Sequence, residues 1–91
     1  MSATVSKQTT SELGRKAWLL YEQLHETIET PDNIGKVIVL DVESGDYEID
    51  DQGIESSKKL RARHPGNPLY ALRIGYKVME SFGGIRERIE R

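Results

Sequence analysis

A chain of 91 residues, with 13 Lys and Arg against 15 Asp and Glu and a net charge of -2, has room for one domain, and a domain of this size hides only about 60 to 65% of the surface its unfolded form exposes. That leaves little volume for an enclosed active site and favours a binding module over an enzyme. Cysteine is absent, so no disulfide framework or thiolate metal site can be built, and the longest strictly aliphatic run, 37–40, falls far short of the roughly 20 apolar residues of a membrane span; a soluble cytoplasmic protein is expected.

The elements follow in chain order. Residues 1–8 are Ser/Thr-rich and aperiodic, and are expected to form a disordered tail. Thr9 and Glu12 have the spacing of a capping box, and Leu13, Ala17, Leu20, Leu24 and Ile28 then recur on one stripe, which predicts an amphipathic helix over 9–30 that stops before Pro31. From Gly35 the period changes to two. Ile38, Leu40 and Val42 alternate with Val39, Asp41 and Glu43, Ser44-Gly45 supplies turn chemistry, and Tyr47 and Ile49 alternate with Glu48 and Asp50, the pattern of a β-hairpin. A two-residue turn there would set Val42 opposite Tyr47 and Asp41 opposite Glu48.

Asp50 or Asp51 is placed to cap a second helix, which the prolines and glycine of "HPGNP" must end; its expected inner face is Gly53, Ile54, Ser57, Leu60 and His64. "LYALRIGY" is a third strand, with Tyr70, Leu72, Ile74 and Tyr76 on one face. Gly75 interrupts this β-branched and aromatic stretch, so a special backbone conformation or a close approach is expected at that point. A short helix before Gly83-Gly84 and a flexible tail over 83–91 complete the prediction. The fold class is α+β: an N-terminal helix followed by a ββαβ domain over 35–82 with a three-stranded sheet. Its expected core is Ile38, Leu40, Val42, Tyr47, Ile49, Ile54, Leu60, Leu72 and Ile74.

Charge is unevenly spread. Asp41, Glu43, Asp46, Glu48, Asp50, Asp51 and Glu55 fall in fifteen residues without a base, and Lys58, Lys59, Arg61, Arg63, Arg73 and Lys77 follow without an acid. An apolar strand ending in Asp-x-Glu resembles the start of the two-metal site of Asp-Glu-Asp-Asp exonucleases, but such a site needs further carboxylates, and no Asp occurs after Asp51. A metal-dependent nuclease-like hydrolase is therefore the remote alternative, and no catalytic residue, metal ligand or cofactor is assigned. Asp41, Glu43, Asp46 and Glu48 are expected on one solvated hairpin face, relieved by water, by a basic partner or by the chain's own cations. On that reading, removing Asp41 and Glu43 together should leave the fold intact.

The basic block suits phosphate contact, which makes Lys58, Lys59, Arg61, Arg63 and Lys77 the candidate residues of a nucleic-acid interface. A sequence pI near 5.7 is lower than such a domain normally shows. The first helix offers a different surface, because Trp18, Leu19 and Tyr21 add apolar area beyond the stripe that one sheet face needs. Trp and Tyr are common interface anchors, so these three residues are the candidate contact with a protein partner or with a second copy in a homodimer.

The segments 40–49 and 73–76, here "LDVESGDYEI" and "RIGY", resemble a group of short bacterial, especially cyanobacterial, proteins that share the pattern Ile-Asp-x-Glu-x-Gly-Asp-Tyr-Glu-Ile and a later Arg-Ile-Gly-Tyr. The resemblance runs through about half of the chain. It implies a small ββαβ layout and no assigned activity, and it implies a gene beside a second small gene, as for antitoxins and other partner-binding subunits. The sequence thus leads to a non-enzymatic interaction module, antitoxin-like or adaptor-like, with nucleic-acid binding as the alternative.

Overall fold

The computed structural model describes residues 2–79 and 85–91, with side chains over 12–77 and 86–91. Helix α1 spans Ser2–Ile28, so it starts before the expected Thr9 cap: the segment read as a disordered tail is helical backbone from Ser2. Thr9 lies inside the helix. Strands β1 (Val37–Asp41) and β2 (Tyr47–Asp50) form the hairpin, α2 spans Ile54–Arg63, and β3 (Leu69–Arg73) completes an antiparallel sheet of order β2-β1-β3. The third strand is shorter than expected. It gives way at Ile74-Gly75 to β4 (Tyr76–Met79), which pairs with β5 (Ile85–Arg88) in a second, two-stranded sheet. Residues expected to be a short helix are thus partly β4, with the remainder, 80–84, outside the described residues, and within the segment 83–91, expected as a tail, Ile85–Arg88 forms β5.

The two helices cover opposite faces of the three-stranded sheet. Ile38 and Leu40 point to α1 and are enclosed with Ala17, Tyr21, Ile28 and Ile74; Val42, Tyr47, Ile49, Tyr70 and Leu72 pack around them. Val37 and Val39 point the other way and are buried with Leu60 beside Leu69. The expected solvated face of the hairpin is therefore a second core. Ile54, expected inside, is 58% exposed, because α2 is rolled so that Gly53, Ser56 and Leu60 face the sheet. The cause is Gly53, whose positive φ starts the helix and whose missing side chain lets it press on Val37: a Cβ there would lie 2.9 Å from Val37 Cγ1.

The hairpin register also differs from the expectation. Leu40 faces Tyr47, Ile38 faces Ile49 and Val39 faces Glu48, a shift of two residues that leaves each side chain on its expected face. The physical reason is Asp41. Its carboxylate accepts the amides of Glu43 and Ser44 at 3.0 and 3.1 Å, and its carbonyl accepts the amide of Gly45 at 2.8 Å, so the chain turns directly after Asp41 instead of running on to Ser44.

Candidate functional site

Asp41 is the last residue of β1, on the strand parity that faces α2, and it is fully buried. Burial works to raise its pKa, but the Asn67 amide and the Ser44 and Glu43 N–H groups outweigh it and hold the carboxyl below the usual carboxylate range. Asn67 Nδ2 donates to both carboxylate oxygens, at 3.3 and 3.0 Å, so the group is committed to three donors, the Glu43 and Ser44 amides and Asn67. Glu43 stands exposed in the turn. Asp41 and Glu43 therefore share no open face on which a metal could be held, and among the described residues no three His, Cys, Asp or Glu side chains converge as a metal cage.

The remaining acids of the hairpin are answered by α2. Arg63 places Nε 2.9 Å from Asp46 and Nη1 2.9 Å from Glu48, and His64, the C-cap residue of the helix, brings Nε2 to 2.9 Å from the same Asp46 oxygen. These contacts, Arg63 first, lower the Asp46 pKa. Asp50 takes the Ser56 hydroxyl at 2.5 Å and reaches the Ser56 amide at 3.4 Å, so it serves the third amide of α2 although Gly53 holds the cap position. The Ser56 hydroxyl is the main cause of its lowered pKa. Arg73, on the same strand parity as Leu69, turns to the Gly35 carbonyl at 2.9 Å and takes no part in the neutralisation.

The two candidate surfaces are altered by this placement. Tyr21, expected in a partner contact, is fully buried in the core: it lies at the centre of the α1 face, and its hydroxyl donates to Glu29 at 2.5 Å while accepting the Gly75 amide at 2.7 Å. Trp18 is half-buried and meets Tyr21 edge-on, ring centroids 4.8 Å apart, whereas Leu19 is 60% exposed on the outer side of the helix. Trp18, Leu19 and Tyr21 thus do not share one face. In the basic block, Lys58, Lys59 and Arg61 are exposed along the outside of α2, Arg63 is committed to Asp46 and Glu48, and Lys77 belongs to β4 in the other sheet. The five do not form one basic stripe.

One feature was not legible in the sequence. Ile74 N–H donates to the Lys36 carbonyl at 2.8 Å and the Pro68 carbonyl accepts from Val42 N–H at 3.3 Å, so the even-numbered residues of β3 direct their backbone groups at β1. Alternation along an antiparallel strand then turns the N–H and C=O of Leu69, Ala71 and Arg73 outward. Ala71, at the middle, is exposed, and no hydrogen bond to these three amides is formed among the described residues. The signal that could have found this comb is the pairing of β3 with the centre strand β1, a long-range choice that local alternation does not reveal.

No family model, no curated protein and no solved structure matches this chain. Among the described residues no helix is long and apolar enough to cross a membrane.

Proposed function

We propose that the chain works as a small interaction module, an antitoxin-like or adaptor subunit that meets a protein partner or a second copy of itself and does no chemistry of its own. The observation that carries the reading is the commitment of the acidic hairpin. Asp41, Asp46, Glu48 and Asp50, the residues most suggestive of catalysis, are each held by donors of the same chain, while β3, at the other edge of the sheet, is unpaired along its outer side among the described residues. Buried and paired carboxylates serve the fold, and an open edge suits β-strand addition. Contact through α1 is carried in this reading by the Trp18 flank, since Tyr21 belongs to the core.

Affinity capture of the tagged chain from native lysate, with and without nuclease, tests it. Retention of a stoichiometric protein after nuclease, or a self-complex, is the expected result. A nuclease-sensitive complex lost on Lys59→Glu plus Arg61→Glu would replace this reading with nucleic-acid binding through the exposed face of α2.

A further inference from the structure

We infer that the outer edge of β3 is a self-recognition site, at which two copies of this chain pair antiparallel about Ala71 to make one six-stranded sheet. The inference rests on the interaction reading and names the surface and its occupant.

The two edges of the sheet are treated differently. On β2, the Tyr47 amide is capped by its own neighbour, the Asp46 carboxylate, at 2.8 Å, and Glu48 and Asp50 add charge, a common way of blunting an edge against a further strand. The β3 edge has none of these devices. Between Leu69 and Arg73 there is no proline, and the one charge, Arg73, is turned back onto the Gly35 carbonyl. Three residues, Leu69, Ala71 and Arg73, present backbone donors and acceptors in a row.

That row is self-complementary. A two-fold axis through Ala71 sets Ala71 against its copy, Leu69 against Arg73 of the other chain and Tyr70 against Leu72, with hydrogen-bonded pairs at 69, 71 and 73. The small Ala71 side chains meet on the axis. On the α1 face, Tyr70 and Leu72 are only partly covered within one chain, and each gains an apolar neighbour across the seam, so the layer formed by Ile38 and Leu40 continues from one copy to the next. Trp18 lies on the helix that covers this face: one turn earlier, at Gly14, α1 passes over Tyr70 of β3, where a Cβ would lie 3.0 Å from the Tyr70 hydroxyl. An edge of five residues with one indole buries less than the roughly 1,200 Å² typical of a stable complex, so the dimer is weak and concentration-dependent.

Sedimentation of the full chain from about 10 µM to 1 mM, where a weak dimer forms, tests the inference with two variants. Ala71→Pro removes the outward amide without touching the β1 ladder, and Ala71→Lys keeps the amide but sets two charges on the axis. The wild type is expected to rise from 10.3 kDa toward twice that mass. Both variants should stay monomeric with unchanged far-ultraviolet circular dichroism, and if Ala71→Pro fails to fold, Ala71→Lys decides. A wild type that is monomeric throughout, or a dimer that persists in Ala71→Lys, overturns the self-pairing. If such a monomer still captures another protein from lysate, the interaction reading survives that failure.

Discussion

The amide of Gly75, where β3 gives way to β4, donates a 2.7 Å hydrogen bond to the phenol oxygen of Tyr21, 54 residues earlier on α1. Tyr21 in turn donates to Glu29, which also holds Arg91 at 2.5 Å. One buried hydroxyl thereby ties the helix, the end of the sheet and the segment after β5 together. Burial, then Glu29, holds the phenol well above its ordinary pKa, so it stays protonated and keeps donating.

Tyr21→Phe should lower stability even though the ring is kept. The Gly75 amide is left buried without an acceptor, which costs about 1 to 3 kcal/mol, or on the order of 5 to 15 °C in melting temperature for a domain of this size. Thermal unfolding followed by circular dichroism checks it; a loss of less than about 2 °C would mean that water replaces the hydroxyl.

Gly75 and Gly66 form a matched pair, with φ of 86° and 84°. A Cβ on Gly66 meets nothing within 4 Å, whereas on Gly75 it would lie 2.9 Å from Ile34 Cδ1 and 3.0 Å from Arg88 Nη1. Gly66→Ala should cost about 1 kcal/mol from backbone strain alone, and Gly75→Ala at least twice that. Urea denaturation of the two variants compares them directly, and equal losses would show that Ile34 and Arg88 yield freely.

Asp41 reverses an expectation drawn from the sequence. Removing it strands the amides of Glu43 and Ser44 and the Asn67 side chain, so Asp41→Ala should destabilise by roughly 2 to 3 kcal/mol, where relief of like charges had suggested no loss. Glu43→Ala, at an exposed turn position, should stay within about 0.5 kcal/mol. A double variant as stable as the wild type would restore the view of a solvated acidic face.

Acid sensitivity follows from the same carboxylates. The folded-state pKa values of Glu29, Asp41, Asp46 and Asp50 are all lowered, by Arg91 foremost at Glu29, so the unfolded chain takes up protons first as pH falls. Their contribution is complete above the unfolded carboxylate range and is lost as pH drops through the folded values, which places the decline at pH below about 5. Melting temperatures measured across that range should fall steadily, and Asp41→Asn should flatten the slope. A slope unchanged in Asp41→Asn would remove Asp41 from the account.

Much of this fold can be read locally. The apolar stripe of α1 and the period-two stretches of β1, β2 and β3 each report on a few neighbouring residues, and they placed Ile38, Leu40 and Ile74 in the buried core, with Leu72 packed against it. What escaped depends on distant partners. Val39 and Asp41 look like a solvent face until Leu60, Leu69 and Asn67 are brought over them, and Tyr21 looks like surplus apolar surface until Gly75 is brought beneath it. The break at Gly75 was marked by the residue itself, but the pairing of β4 with β5 was hidden behind a pattern that suits a short helix equally well. Of the contact residues expected on α1, Tyr21 belongs to the core, Trp18 is half-buried against it and Leu19 is exposed.

Trp18 and Leu19 separate these roles. Trp18→Ala removes the edge-on contact with Tyr21 and should cost roughly 1 to 3 kcal/mol while weakening self-association. Leu19→Ser, on the exposed outer face, should leave both stability and mass unchanged. Stability curves together with sedimentation check both variants, and a change of mass with Leu19→Ser would move the contact to the outer face of α1.

The most direct measurement of the central claim, an open β3 edge that recognises a strand, is residue-resolved amide exchange at two concentrations. In dilute solution the amides of Leu69, Ala71 and Arg73 should exchange far faster than those of Tyr70 and Leu72, which are held by β1. At high concentration the alternation should vanish as the outward amides become protected. Equal protection of all five in dilute solution, or an alternation that persists at every concentration and in the presence of any captured partner, would contradict it.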